Sequence, residues 1–178
     1  LKDLWEAGDA LELLVTSKWD YVVLQEQSFW AMFPESVRVT NKVVKAFDQS
    51  IRQAGARTVL FVTWPRKPAS SWYSSGQYRF LKSPAYMQQQ FDYYSTKLAA
   101  SIDAPAIAVG DYWTHTLAAY PDIPLYMPDG SHPSPTGSYL AALLFYRFFS
   151  GQKPQHADYV PSGVDARHAA TLRSLVSY

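Results

Sequence analysis

The chain has 178 residues, of which 48% are hydrophobic and 16% aromatic. That is enough apolar material for one globular domain with a sizeable core, and too much for a disordered segment. Sixteen basic residues against fifteen acidic leave a net charge of +1 with no block of like sign, so nothing favours nucleic acid or an anionic membrane as partner. The absence of Cys excludes disulfides, thiol catalysis and thiolate metal sites, and leaves the compartment open. No run approaches the roughly 18 apolar residues of a membrane helix, and no signal peptide is visible.

The chain opens at Leu1 rather than Met, as expected of a processed or truncated product. Residues 1–16 carry apolar side chains at helical spacing, and one helix is predicted there. Tyr21-Val-Val-Leu24 is a short apolar run that reads as a buried strand of a parallel sheet, followed by Gln25-Glu-Gln-Ser28 at its C-terminal end. A helix is predicted over residues 35–54, where Val37, Val44, Phe47 and Ile51 share a face; Pro34 precedes it and Gly55 stops it. Thr58 to Thr63 reads as a second buried strand, ended by Trp64-Pro65.

Residues 66–83 form a long polar and aromatic loop containing Trp72, Tyr73 and Tyr78, and loops of that length are often functional. A third helix is predicted over 84–100, a short third strand over Ala106 to Val109, and a short helix over 111–120. Residues 121–135 are a loop with five Pro, followed by a strongly apolar helix over 136–149 closed by Gly151, and a last helix over 165–176. Strands alternating with helices predict an α/β fold, a parallel sheet with helices on both faces. Ligands of such sheets sit beyond the C-terminal strand ends: Gln25–Ser28, Trp64–Lys67 and Gly110–Trp113. No repeat, linker or second domain is evident, so residues 1–178 read as a single domain.

The sharpest local signal is Tyr126-Met-Pro-Asp-Gly-Ser-His-Pro-Ser-Pro-Thr-Gly-Ser-Tyr139. Asp129 and His132 stand three apart in a Pro/Gly-rich loop before an apolar helix. An Asp at that spacing can hold one imidazole nitrogen and leave the other as a base, which predicts Oδ to Nδ1 at about 2.6–3.2 Å. The alternative is an Asp that closes an Asx-turn beside a surface His.

The segment resembles the last block of the SGNH, or GDSL-like, hydrolases: Asp129, His132 and Pro133 match Asp-x-x-His-Pro residue for residue. Trp19-Asp-Tyr-Val-Val-Leu-Gln-Glu-Gln-Ser28 is similar to that family's third block. Together the two segments look like a bacterial branch of such proteins. The resemblance implies a flavodoxin-like three-layer sandwich with a parallel sheet. It implies a serine carboxylic ester hydrolase in which Asp129 orients His132 and His132 activates a Ser.

Two departures stand out. Where the family has an oxyanion Asn, this chain has Gln25-Glu-Gln-Ser28, putting Gln27 in that place with Gln25 beside it. A Gln amide carries the same NH₂ donor on a longer arm; the alternative is that both Gln side chains cap the strand end. The family's first block, a Gly-Asp-Ser or Gly-Asn-Ser turn, has no counterpart: Gly8-Asp9-Ala10 lacks the Ser and follows no strand. The N-terminal strands and the nucleophile are therefore expected in a segment preceding Leu1. Ser28, at a strand end, is the candidate within the chain; Ser131 and Ser134 flank His132.

The remaining candidates are weaker. Arg66 and Lys67 could meet an anionic substrate or be solvated loop charges, and Glu26 could be a second acid or a hydrogen-bond organiser. His115, His156 and His168 lack ligand spacing, and neither a metal cluster nor a phosphate loop is read, so no cofactor is expected. The function implied is hydrolysis of acyl esters through an acyl-enzyme. Carbohydrate O-acyl esters are suggested by the aromatic loop. The alternative is an inactive relative serving as a glycan-binding or assembly domain. Expected partners are thus a small-molecule or carbohydrate ester and the N-terminal segment of the same protein.

Overall fold

The computed structural model describes residues 1–178 except Ala69, Ser75 and Tyr178; for residues 76, 77 and 79 it describes the backbone alone. Two compact units emerge, residues 1–63 with 85–108, and residues 64–84 with 109–178.

The first unit begins with α1 (Lys2–Ala7) and α2 (Asp9–Thr16). A single helix over 1–16 is not formed, because Gly8 adopts φ +84°, a left-handed conformation that ends one helix and starts the next. Strand β1 (Tyr21–Gln25) follows, then a 3₁₀ turn over Trp30–Met32. Next come α3 (Pro34–Gln53), β2 (Arg57–Val62), α5 (Pro84–Ser101) and β3 (Ala106–Ala108); α4 (Ser71–Ser74) belongs to the second unit. The sheet is wholly parallel in the order β1-β2-β3. Tyr21 pairs with Arg57 and Gln25 with Phe61 across one ladder, and Leu60 with Ala106 and Val62 with Ala108 across the other. This register brings the C-terminal ends of the strands to one edge of the sheet, which is where parallel sheets gather ligand-binding groups.

Central strand β2 buries Thr58, Val59, Leu60 and Val62, whereas outer strand β1 leaves Tyr21, Val23 and Gln25 exposed on alternate positions. The core gathers Leu24 and Leu60 of the strands, Val43, Val44, Phe47 and Ile51 of α3, Leu98 of α5, and Leu14. Trp5 of α1 lies edge-on against Phe47, with ring centroids 5.0 Å apart. Pro34 at the first turn of α3 supplies the φ a helix start needs, and its missing N–H would have had no intrahelical acceptor there.

A polar clasp joins α3 to β2. Buried Asp48 accepts from Thr58 Oγ1 at 2.7 Å and from Arg52 Nε at 2.8 Å, and Arg52 donates on to the carbonyls of Ile102 and Asp103. An otherwise costly buried carboxylate is thereby fully engaged.

The second unit contains α4 (Ser71–Ser74), a 3₁₀ segment over Gly76–Leu81, α6 (Val109–Ala119), α7 (Pro135–Ser150), a 3₁₀ turn over Pro154–His156 and α8 (Ala166–Ser177). Val109, predicted as the end of the third strand, opens α6 instead. Trp113 of α6, Leu140 of α7, and Leu172 and Val176 of α8 are fully buried. Arg147 of α7 donates to the hydroxyl of Tyr112 and to the carbonyl of Val176, tying α7 to both other helices.

Helix α7 has strong end signals. Ser134 accepts from Gly137 N at 3.0 Å as N-cap, Pro135 follows it, and Gly151 closes the helix at φ +68°. Gly137 is required for close approach. A Cβ there would sit 2.2 Å from the Leu125 carbonyl oxygen and 2.4 Å from the Trp113 ring.

Candidate active site

The loop between α6 and α7 folds back on itself. Tyr126 and Pro133 form an antiparallel bridge, Met127 N donates to His132 O at 2.9 Å, and Ser134 N donates to Leu125 O at 2.9 Å. At its tip, Gly130 N donates to Met127 O at 3.0 Å. Met127-Pro-Asp-Gly130 thus has the Pro and Gly that a type I turn favours at its second and fourth positions.

Asp129 uses both carboxylate oxygens in this turn. Oδ1 accepts from Ser131 N at 2.8 Å and from His132 N at 2.9 Å, and Oδ2 lies 2.6 Å from His132 Nδ1. The two alternatives read from the sequence therefore hold together: the Asx-type turn is what brings the imidazole to the carboxylate.

The hydrogen bond from His132, followed by those from the two backbone amides, draws the Asp129 carboxyl down to about 2. The carboxylate is therefore an acceptor at neutral pH, so in the neutral form of the imidazole the proton sits on Nδ1 and the lone pair on Nε2. The imidazole is 78% exposed, so the turn delivers a basic nitrogen to the surface of this unit.

Trp64, Tyr126 and the backbone of Lys67 build the support of the loop, a role the sequence did not assign to them. Trp64 stacks on Trp113 with centroids 4.1 Å apart and planes 5° from parallel, and donates Nε1–H to Ser131 O at 3.0 Å. Tyr126 lies edge-on to Trp113 and donates its hydroxyl to Pro65 O at 2.7 Å. Lys67 N donates to Gly130 O at 2.8 Å. Residues 64–67 thus run along the loop, laced to Tyr126, Gly130 and Ser131. Burial pushes the phenols of both Tyr126 and Tyr73 up, keeping them neutral. The partners lie more than 60 residues apart in the chain, so only the aromatic surplus hinted at them.

The other candidates fall as follows. Ser134 is buried as the α7 cap and donates its hydroxyl to Pro124 O, and Ser131 contributes backbone groups. Arg66 is half-buried with its guanidinium 5.1 Å from the centre of the Trp72 ring, and Lys67 is exposed. Trp72 and Tyr78 pair with centroids 4.2 Å apart.

Gln25, Glu26, Gln27 and Ser28 belong to the first unit, at the C-terminal end of β1. Gln25 and Gln27 are exposed and Ser28 is half-buried. Gln27 Oε1 accepts from Phe29 N at 2.8 Å, which leaves its NH₂ end for donation. Glu26 is an organiser: its carboxylate accepts from Gln27 N at 2.9 Å and from Thr40 Oγ1 of α3 at 3.2 Å. Among the described residues, no group of three or more His, Asp or Glu stands together as metal ligands, and no helix is long and apolar enough to cross a membrane.

No protein-family model and no curated protein sequence matches the chain. Solved structures do. A DUF4886 family protein from Bacteroides uniformis is similar over 94% of this chain, with a TM-score of 0.79 and 18% identity. A candidate SGNH hydrolase from Slackia heliotrinireducens is similar over 80% of this chain and 76% of its own, with a TM-score of 0.64 and 28% identity. The chain spans 64% of the length of the Bacteroides protein. With its parallel sheet, the chain has an α/β fold of the flavodoxin-like, SGNH-like hydrolase kind.

Proposed function

We propose that this chain is the acid/base-bearing part of a serine ester hydrolase of the SGNH type. The observation that carries the reading is the 2.6 Å contact between Asp129 Oδ2 and His132 Nδ1, with the imidazole otherwise open to solvent. In this reading Nε2 takes the proton of a serine hydroxyl as its oxygen attacks the ester carbonyl. The same proton then passes to the departing alcohol, leaving an acyl-enzyme that water hydrolyses with His132 again as base. Asp129 holds the imidazole in the required tautomer and stabilises the imidazolium. Gln27, with Gln25 beside it, is the proposed oxyanion donor.

The serine is proposed to come from a segment preceding Leu1. The place of β1 at the end of the strand order supports this, since an edge strand presents backbone groups with which a further strand can pair. The proposed substrates are carbohydrate O-acyl esters, on the strength of Trp72, Tyr73 and Tyr78 in residues 66–83. One observation favours a second reading, an inactive glycan-binding or assembly domain: no Ser in these 178 residues stands in a Gly-x-Ser turn after a strand.

A fluorophosphonate probe of activated serines separates the two readings. The hydrolase reading expects covalent labelling of the chain when it carries its native upstream sequence, at a serine in that upstream part. Labelling should be lost on His132→Ala. No labelling of either form would leave the binding-domain reading.

A further inference from the structure

Every polar group of Gln27 but one is held by its own neighbours. Its backbone N–H donates to Glu26 Oε1 at 2.9 Å, its carbonyl accepts from Trp30 N at 3.2 Å, and its side-chain Oε1 accepts from Phe29 N at 2.8 Å. An N–H can face only the oxygen of an amide, so the Phe29 contact fixes which end of the Gln27 side chain is engaged. The NH₂ end remains: Gln27 is exposed, and its NH₂ makes no hydrogen bond among the described residues. We propose that Glu26 is a positioning residue for this donor, a brace that ties Gln27 to helix α3 through Thr40.

The brace is a carboxylate whose side chain is only 15% exposed. One oxygen takes the Gln27 N–H, and the other takes the hydroxyl of Thr40 at 3.2 Å. The Leu1 amine adds a third donor, 3.3 Å from Oε1. Thr40 is itself buried, on the helix that carries Val43, Val44 and Phe47 into the core. On the other side of Gln27, the turn over Trp30–Met32 is anchored by buried Trp30 and Ala31, and it presents the Phe29 and Trp30 N–H groups. Glu26 therefore holds the backbone end of Gln27 and Phe29 holds its amide end. An amide donor serves an oxyanion best when it is already fixed, because it then needs no reorientation as the charge develops. A Gln has one more side-chain torsion to order than an Asn, and these two contacts provide that order.

The inference rests on the oxyanion role given to Gln27 above, and its first test needs no enzymatic readout. Side-chain ¹⁵N relaxation of the 178-residue chain reports how ordered each Gln NH₂ is. Gln27 should be clearly more ordered than Gln53, which is exposed and makes no side-chain hydrogen bond among the described residues. Glu26→Ala should remove at least about half of that difference, since the Phe29 contact alone remains. Glu26→Gln should preserve it, because its Oε1 can still accept from Gln27 N and its NH₂ can donate to Thr40 Oγ1. Thr40→Val should loosen Gln27 and Thr40→Ser should not. In the protein with its native upstream sequence, Glu26→Ala should lower kcat by about 10-fold to 10²-fold with KM nearly unchanged, short of the loss of an oxyanion donor outright, and Glu26→Gln should restore most of it.

A Gln27 NH₂ as mobile as that of Gln53 in the unsubstituted chain overturns the assignment, and so does unchanged order in a folded Glu26→Ala protein. An equal loss of order in Glu26→Gln overturns it too, by making the effect one of charge and not of hydrogen bonding. Should Glu26→Ala not fold, Thr40→Val decides: unchanged order there overturns the brace. A longer protein whose turnover is untouched by Gln27→Ala would remove the oxyanion role itself and leave the relaxation result standing.

Discussion

Asp129 does three things with two oxygens, and each has a measurable consequence. Because its carboxyl is drawn down to about 2, the stabilisation it gives the loop is complete above the unfolded-chain range near 4 and is lost as the pH falls through about 2. Carboxyl ¹³C resonances should therefore show Asp129 titrating below the other carboxylates of the chain. A midpoint near 4 would mean that the hydrogen bonds to Ser131, His132 and the imidazole do not form in solution. Asp129→Asn keeps the size of the side chain but can present an NH₂ to Nδ1, stabilising the wrong tautomer. In the protein that carries the nucleophile, kcat should fall by about 10²–10⁴ with KM nearly unchanged, the signature of a group acting on the transition state. Trp72→Ala should do the reverse, raising KM for a glycan ester and leaving a short aryl ester unaffected. Equal effects on both substrates would remove the glycan from the proposed function.

Helix α7 and the loop before it form one mechanical element, and two substitutions probe it. Gly137→Ala drives a methyl group into the Leu125 carbonyl and the Trp113 ring, so urea denaturation should show a loss of about 1–3 kcal/mol or more. Near-neutrality would contradict the close approach of α7 to Leu125 and Trp113. Ser134→Ala removes the cap and should cost about 1 kcal/mol, with Ser134→Gly costing only a few tenths.

These elements also show what the sequence made legible. The strands were visible as apolar runs, and α3 and α7 from their periodicity with Pro at the start and Gly at the end, because those signals are local. The Asp129–His132 contact was visible for the same reason, since three residues separate its partners. The break at Gly8 was hidden, because apolar spacing continues through it and only its φ of +84° interrupts the helix. The short helices within 66–83 were hidden because a single turn has no period. The lacing of Trp64 to Ser131 was hidden because it joins positions 67 residues apart.

At the scale of the molecule, the parallel sheet lies in the first unit and the Asp129–His132 loop in the second. In the proposed hydrolase His132 is the base and the serine comes from a segment preceding Leu1. The most direct measurement is the turnover of a short-chain aryl ester by this chain and by the same chain with its native upstream sequence, each with and without His132→Ala. The account predicts turnover from the longer protein alone, falling by several orders of magnitude on His132→Ala. Comparable, His132-dependent turnover by the 178-residue chain would contradict it and make Ser28 the nucleophile to test.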